Sequence, residues 1–434
     1  MTRGTRELDI VLFGATGFVG RLTAQHLAGE APPGLRIALA GRSLTRLQDL
    51  ARDLGPAAAD WPLLAVDASD EDAVGDLARR TRVVVTTVGP YLKYGVPLAA
   101  ACAVAGTHYC DLTGEVLFIH RSIAANHDTA RRTGARIVHA CGFDSVPSDL
   151  GVFLTAEAAR ADGADLDRTH LVVRSLRGGV SGGTIDTART EADELKGDEE
   201  AHRIVRDPWA LVDGGRPASL PEPGETGAGR GDATASPRGG IGGILEVVRK
   251  AAPVRRDPDD GHFTGPFFMA GFNTRVVARS ASLLGYGPRF RHVEYTDYGA
   301  GPAAAVTAAV ATLGLGGVRA GLGFAPTRAL LDRVLPKPGE GPSEQRMASG
   351  RFRMEVFGEA SSGARYRTVV AAPYDPGYSG TAVMLGQAAL ALVEDADRLP
   401  EAAGVLTPAT AIGMPLVERL RNHAFTLETE RLPG

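Results

Sequence analysis

Leu8–Phe13 (LDIVLF) is apolar but for Asp9 and rich in branched residues, and Gly14-Ala15-Thr16-Gly17-Phe18-Val19-Gly20 follows it without a spacer. This feature constrains the fold most. Such a nearly continuous apolar run reads as a strand buried on both faces, and the apolar pattern resumes at Phe18 with helical spacing. A strand, a glycine-rich turn and a helix in that order form the opening unit of a dinucleotide-binding sheet. Each glycine has its own task. Gly14 permits the tight turn out of the strand, Gly17 lets backbone approach a pyrophosphate, and Gly20 lets the helix pack closely on the sheet. The helix N-terminus offers free N–H groups and the positive end of a dipole to the phosphates. Thr16, Phe18 and Val19 complete the expected contact set of this loop.

The pattern repeats. Arg36–Ala40, Leu63–Val66, Arg82–Val88, His108–Leu112 and Arg136–Ala140 read as further strands. Helices are expected over Phe18–Ala28, Leu44–Leu54, Asp70–Arg79, Pro97–Ala105 and Val116–Arg132. Strands alternating with helices make a parallel, doubly wound α/β sheet of Rossmann type over residues 1–150. The rhythm then changes. Thr169–Leu176, Arg275–Ser280, Arg291–Tyr295, Arg351–Gly358 and Arg365–Ala372 look like strands, and Thr187–Glu200 like a polar helix. Residues 151–379 are therefore expected to form an α+β domain with a mostly antiparallel sheet, interrupted by a Gly/Pro-rich loop at 213–243. Helices at Gly380–Leu392 and Ala411–Asn422 are expected to pack back on the first domain.

The end of the second strand selects the nucleotide. A site for NAD carries an acid there to bond the ribose 2′-hydroxyl. Here the strand ends Ala40-Gly41-Arg42-Ser43, so Arg42 offers a forked contact to a 2′-phosphate and Ser43 a hydroxyl. NADP(H) is the expected cofactor. Asp67, after the third strand, suits either the adenine amino group or a helix N-cap. Gly89-Pro90 follows the fourth strand, on the nicotinamide side, where a glycine permits close approach.

Composition excludes other classes. A net charge of −4 on 434 residues argues against a nucleic-acid partner. Three cysteines, Cys102, Cys110 and Cys141, lack CxxC spacing, so no structural metal or disulfide framework is expected. They read as buried thiols of a reducing, cytoplasmic compartment, and residues 1–9 lack a signal-like apolar stretch. Gly299–Val318 carries no charge but is mostly Ala, Gly and Thr. It reads as a packed helix, with peripheral membrane contact as the alternative. The basic group Arg249, Lys250, Arg255 and Arg256 suits an ordinary solvated surface or the docking of an acidic carrier protein. None of the tyrosines is followed four residues later by lysine, which rules out the Tyr-xxx-Lys pair of short-chain dehydrogenases.

The stretches Gly14–Gly20, Thr87–Tyr91 (TVGPY), Gly106–Glu115 (GTHYCDLTGE) and Gly142–Asp149 (GFDSVPSD) resemble saccharopine dehydrogenase-like proteins. The chain is similar in particular to their actinobacterial trans-acting enoyl reductase branch. That resemblance continues through Ser181–Thr184 (SGGT), Gly339–Glu344 (GEGPSE), Asp375–Tyr378 (DPGY) and Gly404–Gly413 (GVLTPATAIG). It implies reduction of the Cα=Cβ bond of an enoyl thioester carried by a polyketide synthase, with hydride from NADPH going to Cβ. It also implies a homodimer. An enolate formed in this way needs a hydrogen-bond donor and then a proton. Tyr91, Lys93 and Tyr94, His108 and Tyr109, and Asp144 and Ser145 follow or lie in strands whose ends face such a ligand. Tyr91, Tyr94 and Asp144 are the catalytic candidates. Packing or cofactor positioning stays open for the tyrosines, and a domain-junction role for Asp144. Asp111 and Glu115 are candidate capping acids, His108 a structural histidine, and Thr184 a residue able to reach the cleft. Reductive amination of a multiply charged substrate and a non-catalytic, lipid-associated scaffold are the competing readings.

Overall fold

The computed structural model describes residues 6–178, 193–216, 254–257, 260–323 and 342–433, without the side chains of 315–323. Two seven-stranded sheets organise the molecule. The first contains β1 (Leu8–Phe13), β2 (Ile37–Gly41), β3 (Leu63–Ala65), β4 (Thr81–Thr86), β5 (His108–Cys110), β6 (Arg136–Val138) and β13 (Gly404–Leu406). Their order is β13-β6-β5-β4-β1-β2-β3, and every pairing is parallel. All six residues of β1 are buried, as helices on both faces require. The expected doubly wound sheet is therefore present.

Strand order reverses at β1, which has β2 on one side and β4 on the other. The crevice beyond the C-terminal ends of these strands is where open α/β sheets bind ligands. Helices α1 (Phe18–Glu30), α2 (Leu44–Leu54) and α3 (Glu71–Arg80) follow the first three strands, and α4 (Tyr91–Ala105) and α5 (Val116–Thr133) the next two. Helix α4 begins at Tyr91, not near Pro97 as expected; Pro97 lies inside it.

Helix α6 (Val146–Ala161) leads into the second sheet, so the division expected after residue 150 falls within one continuous helix. That sheet contains β7 (Leu166–Arg177), β8 (Arg255–Arg256), β9 (Phe263–Pro266), β10 (Arg291–Asp297), β11 (Arg351–Ala360), β12 (Arg365–Ala372) and β14 (Thr426–Arg431). The order is β14-β12-β11-β7-β10-β9-β8, antiparallel except for the β7–β10 pair. Of the helix expected at 187–200, residues 187–192 lie outside the described residues, 195–197 form a turn, and helix α7 (Glu199–Arg206) begins only after the Asp198 N-cap.

Arg275–Ser280 is not a strand. It lies inside α8 (Ala270–Leu284), whose buried face includes Phe272, Asn273, Val276, Val277 and Ser280. Those positions follow the helical period, which overrides the β-branched pair at its centre.

Chain from the C-terminal region enters both sheets, as β13 and β14. Helix α11 (Thr381–Glu394) follows a π-helical turn at Pro376–Gly380 and is buried along its whole length up to Val393. Its side chains join the core that covers one face of the first sheet. The weakly apolar segment forms α9 (Pro302–Gly323), seated by Ala304, Ala308 and Thr312, with Val306, Val310 and Leu313 exposed. Among the described residues, no helix is long and apolar enough to cross a membrane. The helix α10 (Glu344–Ala348) precedes β11.

Candidate active site

Gly14 turns the chain out of β1 with φ +86°, a left-handed conformation that favours glycine. A Cβ there would sit 2.7 Å from Val88 Cγ2. The turn is pinned from three directions. Gly14 N–H donates to Ala40 O at 2.9 Å, Gly17 N–H to Gly14 O at 2.9 Å, and Thr87 Oγ1 to Gly14 O at 3.0 Å. Gly20 packs against this turn, where a Cβ would come within 2.2 Å of Gly14 O. Helix α1 therefore starts directly beneath the loop. Its N-cap, Gly17, has no side chain to satisfy the first N–H groups, which leaves them for an anion.

A cavity of about 610 Å³ opens above. The glycine loop lines it with Gly14, Thr16, Gly17 and Phe18, and α1 adds Arg21. The tips after β2 and β3 contribute Gly41, Arg42, Arg46, Asp67 and Ala68; the β4 side contributes Thr87, Val88, Gly89 and Tyr94. Most of the cofactor residues expected from sequence thus come together. Val19, Gly20, Ser43 and Pro90 are absent from the lining. Gly20 serves packing. Ser43 Oγ accepts the Arg46 N–H at 3.4 Å as the N-cap of α2, and Pro90 is the N-cap of α4 after a cis Gly89–Pro90 bond. Asp67 accepts Ser69 N–H at 2.9 Å and Ser69 Oγ–H at 2.7 Å, and these bonds hold its carboxyl below the usual range. The cap of α3 is Asp70.

Sequence reading missed Arg21 and Arg46. Both sit in the first turn of a helix that follows a cofactor-facing loop, and that position was the signal available. A cavity with a side-chain-free anion cradle and arginines at the β2 tip fits an NADP-type dinucleotide.

The catalytic candidates separate. Tyr91 is buried; its hydroxyl donates to Thr86 O at 3.2 Å and lies 3.5 Å from Leu112 N–H. Burial and the neighbouring Asp111 carboxylate raise its pKa well above the ordinary phenol value. Tyr91 faces the core and not the cavity. Tyr94 does line the cavity, and the Lys93 ammonium lies 5.0 Å from its ring centre. Asp144 follows β6, and burial pushes its carboxyl up to about 6. A Cβ on Gly114 would lie 3.9 Å from both Asp144 Oδ2 and Met269 Cε, which places Asp144 beside the β5 loop and near Met269. His108 is structural: its Nδ1 accepts the Arg136 N–H at 3.1 Å. Thr184 lies outside the described residues.

The saccharopine dehydrogenase NADP binding domain matches residues 10–138. A trans-acting enoyl reductase of Mycobacterium tuberculosis is 44% identical over 440 residues, covering all of both chains. One from Mycobacterium ulcerans is 43% identical over 445 residues, again over the full length of both. The chain belongs to the trans-acting enoyl reductase family. It is an NADP-dependent oxidoreductase of the saccharopine dehydrogenase-like class. The apo saccharopine dehydrogenase (L-Glu forming) of Saccharomyces cerevisiae shares the fold, with a TM-score of 0.52 at 12% identity, over 98% of this chain and 100% of that one.

The family stretches now acquire physical roles. Asp111 joins two loops: its Oδ1 accepts the N–H of Thr113 (3.1 Å) and of Ala140 (2.9 Å), and its Oδ2 bonds His139 Nδ1 at 2.7 Å. His139 Nε2 reaches Ser122 Oγ at 2.9 Å. This Ser–His–Asp series is sealed in the core and clamps the β5 and β6 loops together. The last residue of the Gly142–Asp149 stretch meets the Gly404–Gly413 stretch. Asp149 Oδ2 accepts Ala409 N–H at 2.8 Å, and Ser280 Oγ bonds both Asp149 Oδ1 and Thr407 Oγ1. Thr407 caps the short helix Pro408–Ala411 in a capping box with Thr410. Tyr378 of the Asp375–Tyr378 stretch packs edge-on against the cavity residue Phe18, with ring centres 4.9 Å apart. The turn at Pro376–Gly380 thereby touches the glycine loop. Arg249 and Lys250 lie outside the described residues, while Arg255 and Arg256 are exposed on β8.

Proposed function

We propose that this enzyme reduces the Cα=Cβ bond of an enoyl thioester carried by a polyketide synthase or a related acyl carrier, acting in trans. The family membership over the full chain carries this reading, and the cavity at the β1/β4 switch point supports it. NADPH bound there would supply the hydride that goes to Cβ. Gly14 and Gly17 would hold its pyrophosphate side through bare backbone, and Gly89 would leave room on the nicotinamide side.

The remaining chemistry belongs to side chains beyond β4 and β6. Tyr94 is the proposed donor to the thioester oxygen as negative charge develops there. Asp144 is the proposed proton source for Cα. A carboxyl with a pKa near 6 is protonated in about a tenth of molecules at pH 7, enough to act as an acid and to be recharged from water. Tyr91, with its hydroxyl committed to Thr86, is proposed to position α4 and therefore Tyr94. Arg255 and Arg256 are proposed to belong to a surface that an acidic carrier approaches.

The test follows NADPH oxidation with an enoyl thioester and, separately, with an α-keto acid plus an amine. Turnover with the thioester is expected. Turnover only with the second pair would assign reductive amination instead, and tight NADPH binding without turnover on either would leave a cofactor-binding scaffold. Asp144→Asn and Tyr94→Phe should each lower kcat by roughly a hundredfold, in line with removal of a general acid or an oxyanion donor.

A further inference from the structure

We propose that Arg46 joins Arg42 in a two-guanidinium clamp for the 2′-phosphate of the cofactor, so that the choice of NADP over NAD is shared by two residues on either side of the Ser43 cap. The inference rests on the cofactor cavity alone and is independent of the acyl substrate. Arg42 follows β2 directly and Arg46 lies in the first turn of α2; both side chains are exposed and both line the cavity. Among the described residues, neither guanidinium donates a hydrogen bond or enters an ion pair. Their neighbours differ: Arg52 of the same helix pairs with Asp49, and Arg21 Nε donates to Thr16 O at 3.3 Å. Asp67 feels the Arg42 charge across the cavity, but its carboxylate is engaged by Ser69 and makes no ion pair with Arg42.

Like charges at one rim repel, so two cations without an ion-pair partner there are unfavourable until an anion arrives. A phosphate monoester carries up to two negative charges and accepts forked bonds from two guanidiniums. Ser43 fixes the geometry from behind, because its Oγ holds the Arg46 N–H and sets the first turn of α2. The α2 N-terminus adds its own positive end to the same place. A ribose 2′-hydroxyl gains none of this, which makes the pair a selector and not a general affinity device.

The experiment is a binding titration of the full chain with NADPH, NADH and adenosine 2′,5′-bisphosphate, with no acyl substrate present. Arg42→Ala and Arg46→Ala should each weaken NADPH and the bisphosphate roughly ten- to a hundredfold while NADH binding stays within about twofold. The double variant should bind NADPH and NADH alike, and Arg46→Lys should retain part of the preference. Both residues are exposed, so the fold should survive; an unchanged thermal midpoint verifies this. An Arg46→Ala variant with an intact NADPH/NADH ratio would overturn the proposal. Equal weakening of both dinucleotides would also overturn it, by assigning Arg46 to the adenine they share. Because no enoyl thioester is present, either result leaves the proposed reaction untouched.

Discussion

The Glu115 carboxylate reaches back to Tyr91 and accepts its backbone N–H at 2.8 Å, while its second oxygen accepts the Leu92 N–H at 2.7 Å. A buried acid at the end of the β5 loop thereby caps the helix that carries Tyr94 to the cavity. The cap is supplied from elsewhere in the chain, since Pro90 at the N-cap position has no side chain able to serve. A carboxylate at a helix N-terminus gains both charge-assisted bonds and the dipole. Glu115→Ala should cost about 2–4 kcal/mol in chemical unfolding, because a buried and a half-buried donor lose their partner. Glu115→Gln, which keeps one acceptor, should cost about half as much. NADPH affinity should fall in the same order in a fluorescence titration, as the first turn of α4 loosens beside Gly89.

His26 links α1 to the C-terminal helices. Its Nε2 lies 2.9 Å from Gln387 Nε2, and its ring lies edge-on to His423 at 5.4 Å. Burial, reinforced by His423, lowers its pKa to about 4. The folded protein therefore holds His26 neutral while the unfolded chain protonates near 6.5. Stability from this group is complete above pH 6.5 and is lost as pH falls towards 4. The full interval is worth at most about 3 kcal/mol, less after solvent screening. His26→Gln should flatten the decline in urea-unfolding free energy between pH 6.5 and 4.5. A variant with the same slope as the parent would show that other groups set the acid limb.

Ala140 adopts φ +61°, rare for a residue with a Cβ, and the bond from its N–H to Asp111 holds it there. Asp111→Ala should be among the most destabilising single changes, by roughly 3–5 kcal/mol, since it abandons a buried histidine and two backbone donors. Ala140→Gly should differ from the parent by no more than about 1 kcal/mol, because relief of the backbone offsets the added freedom of the unfolded chain. Differential scanning calorimetry of the two variants tests the contrast.

How much of this was legible depended on whether the cause was local. The first sheet could be read because Leu8–Phe13 and its successors are mostly apolar and set off by glycine, and each strand is followed by its own helix. The cavity floor could be read for the same reason: Gly14, Gly17 and Arg42 act through positions adjacent in sequence. Distant partners could not be read. Nothing near Gly89-Pro90 announces that α4 starts at Tyr91, because its cap is Glu115. The three-residue strand at Gly404–Leu406 is set by pairing with β6, not by its own length. Val276–Val277 looks extended until Phe272 and Ser280 are known to share its buried face. Arg46 was overlooked because only the folded first turn of α2 carries it to the rim beside Arg42.

Two glycines of α1 give opposite expectations from the same substitution. At Gly20 a Cβ would lie 2.2 Å from Gly14 O and 3.0 Å from Ala15 Cα, both backbone atoms that cannot rotate away. Gly20→Ala must push the helix off the loop or deform the loop, at a cost of roughly 1–3 kcal/mol or more. Either movement disturbs the cradle for the pyrophosphate, so NADPH and NADH should weaken together. At Gly29, near the end of the same helix, nothing lies within 4 Å of an added Cβ, and the backbone is helical. Gly29→Ala should therefore raise stability by about 0.5–1 kcal/mol, the helix preference of alanine over glycine, and leave cofactor binding alone. Thermal unfolding with and without NADPH separates the two. The Gly20 variant should lose both its midpoint and most of the shift on adding cofactor, while the Gly29 variant should keep the full shift. A Gly20→Ala protein that bound NADPH normally would mean that the loop does not depend on the close approach of α1.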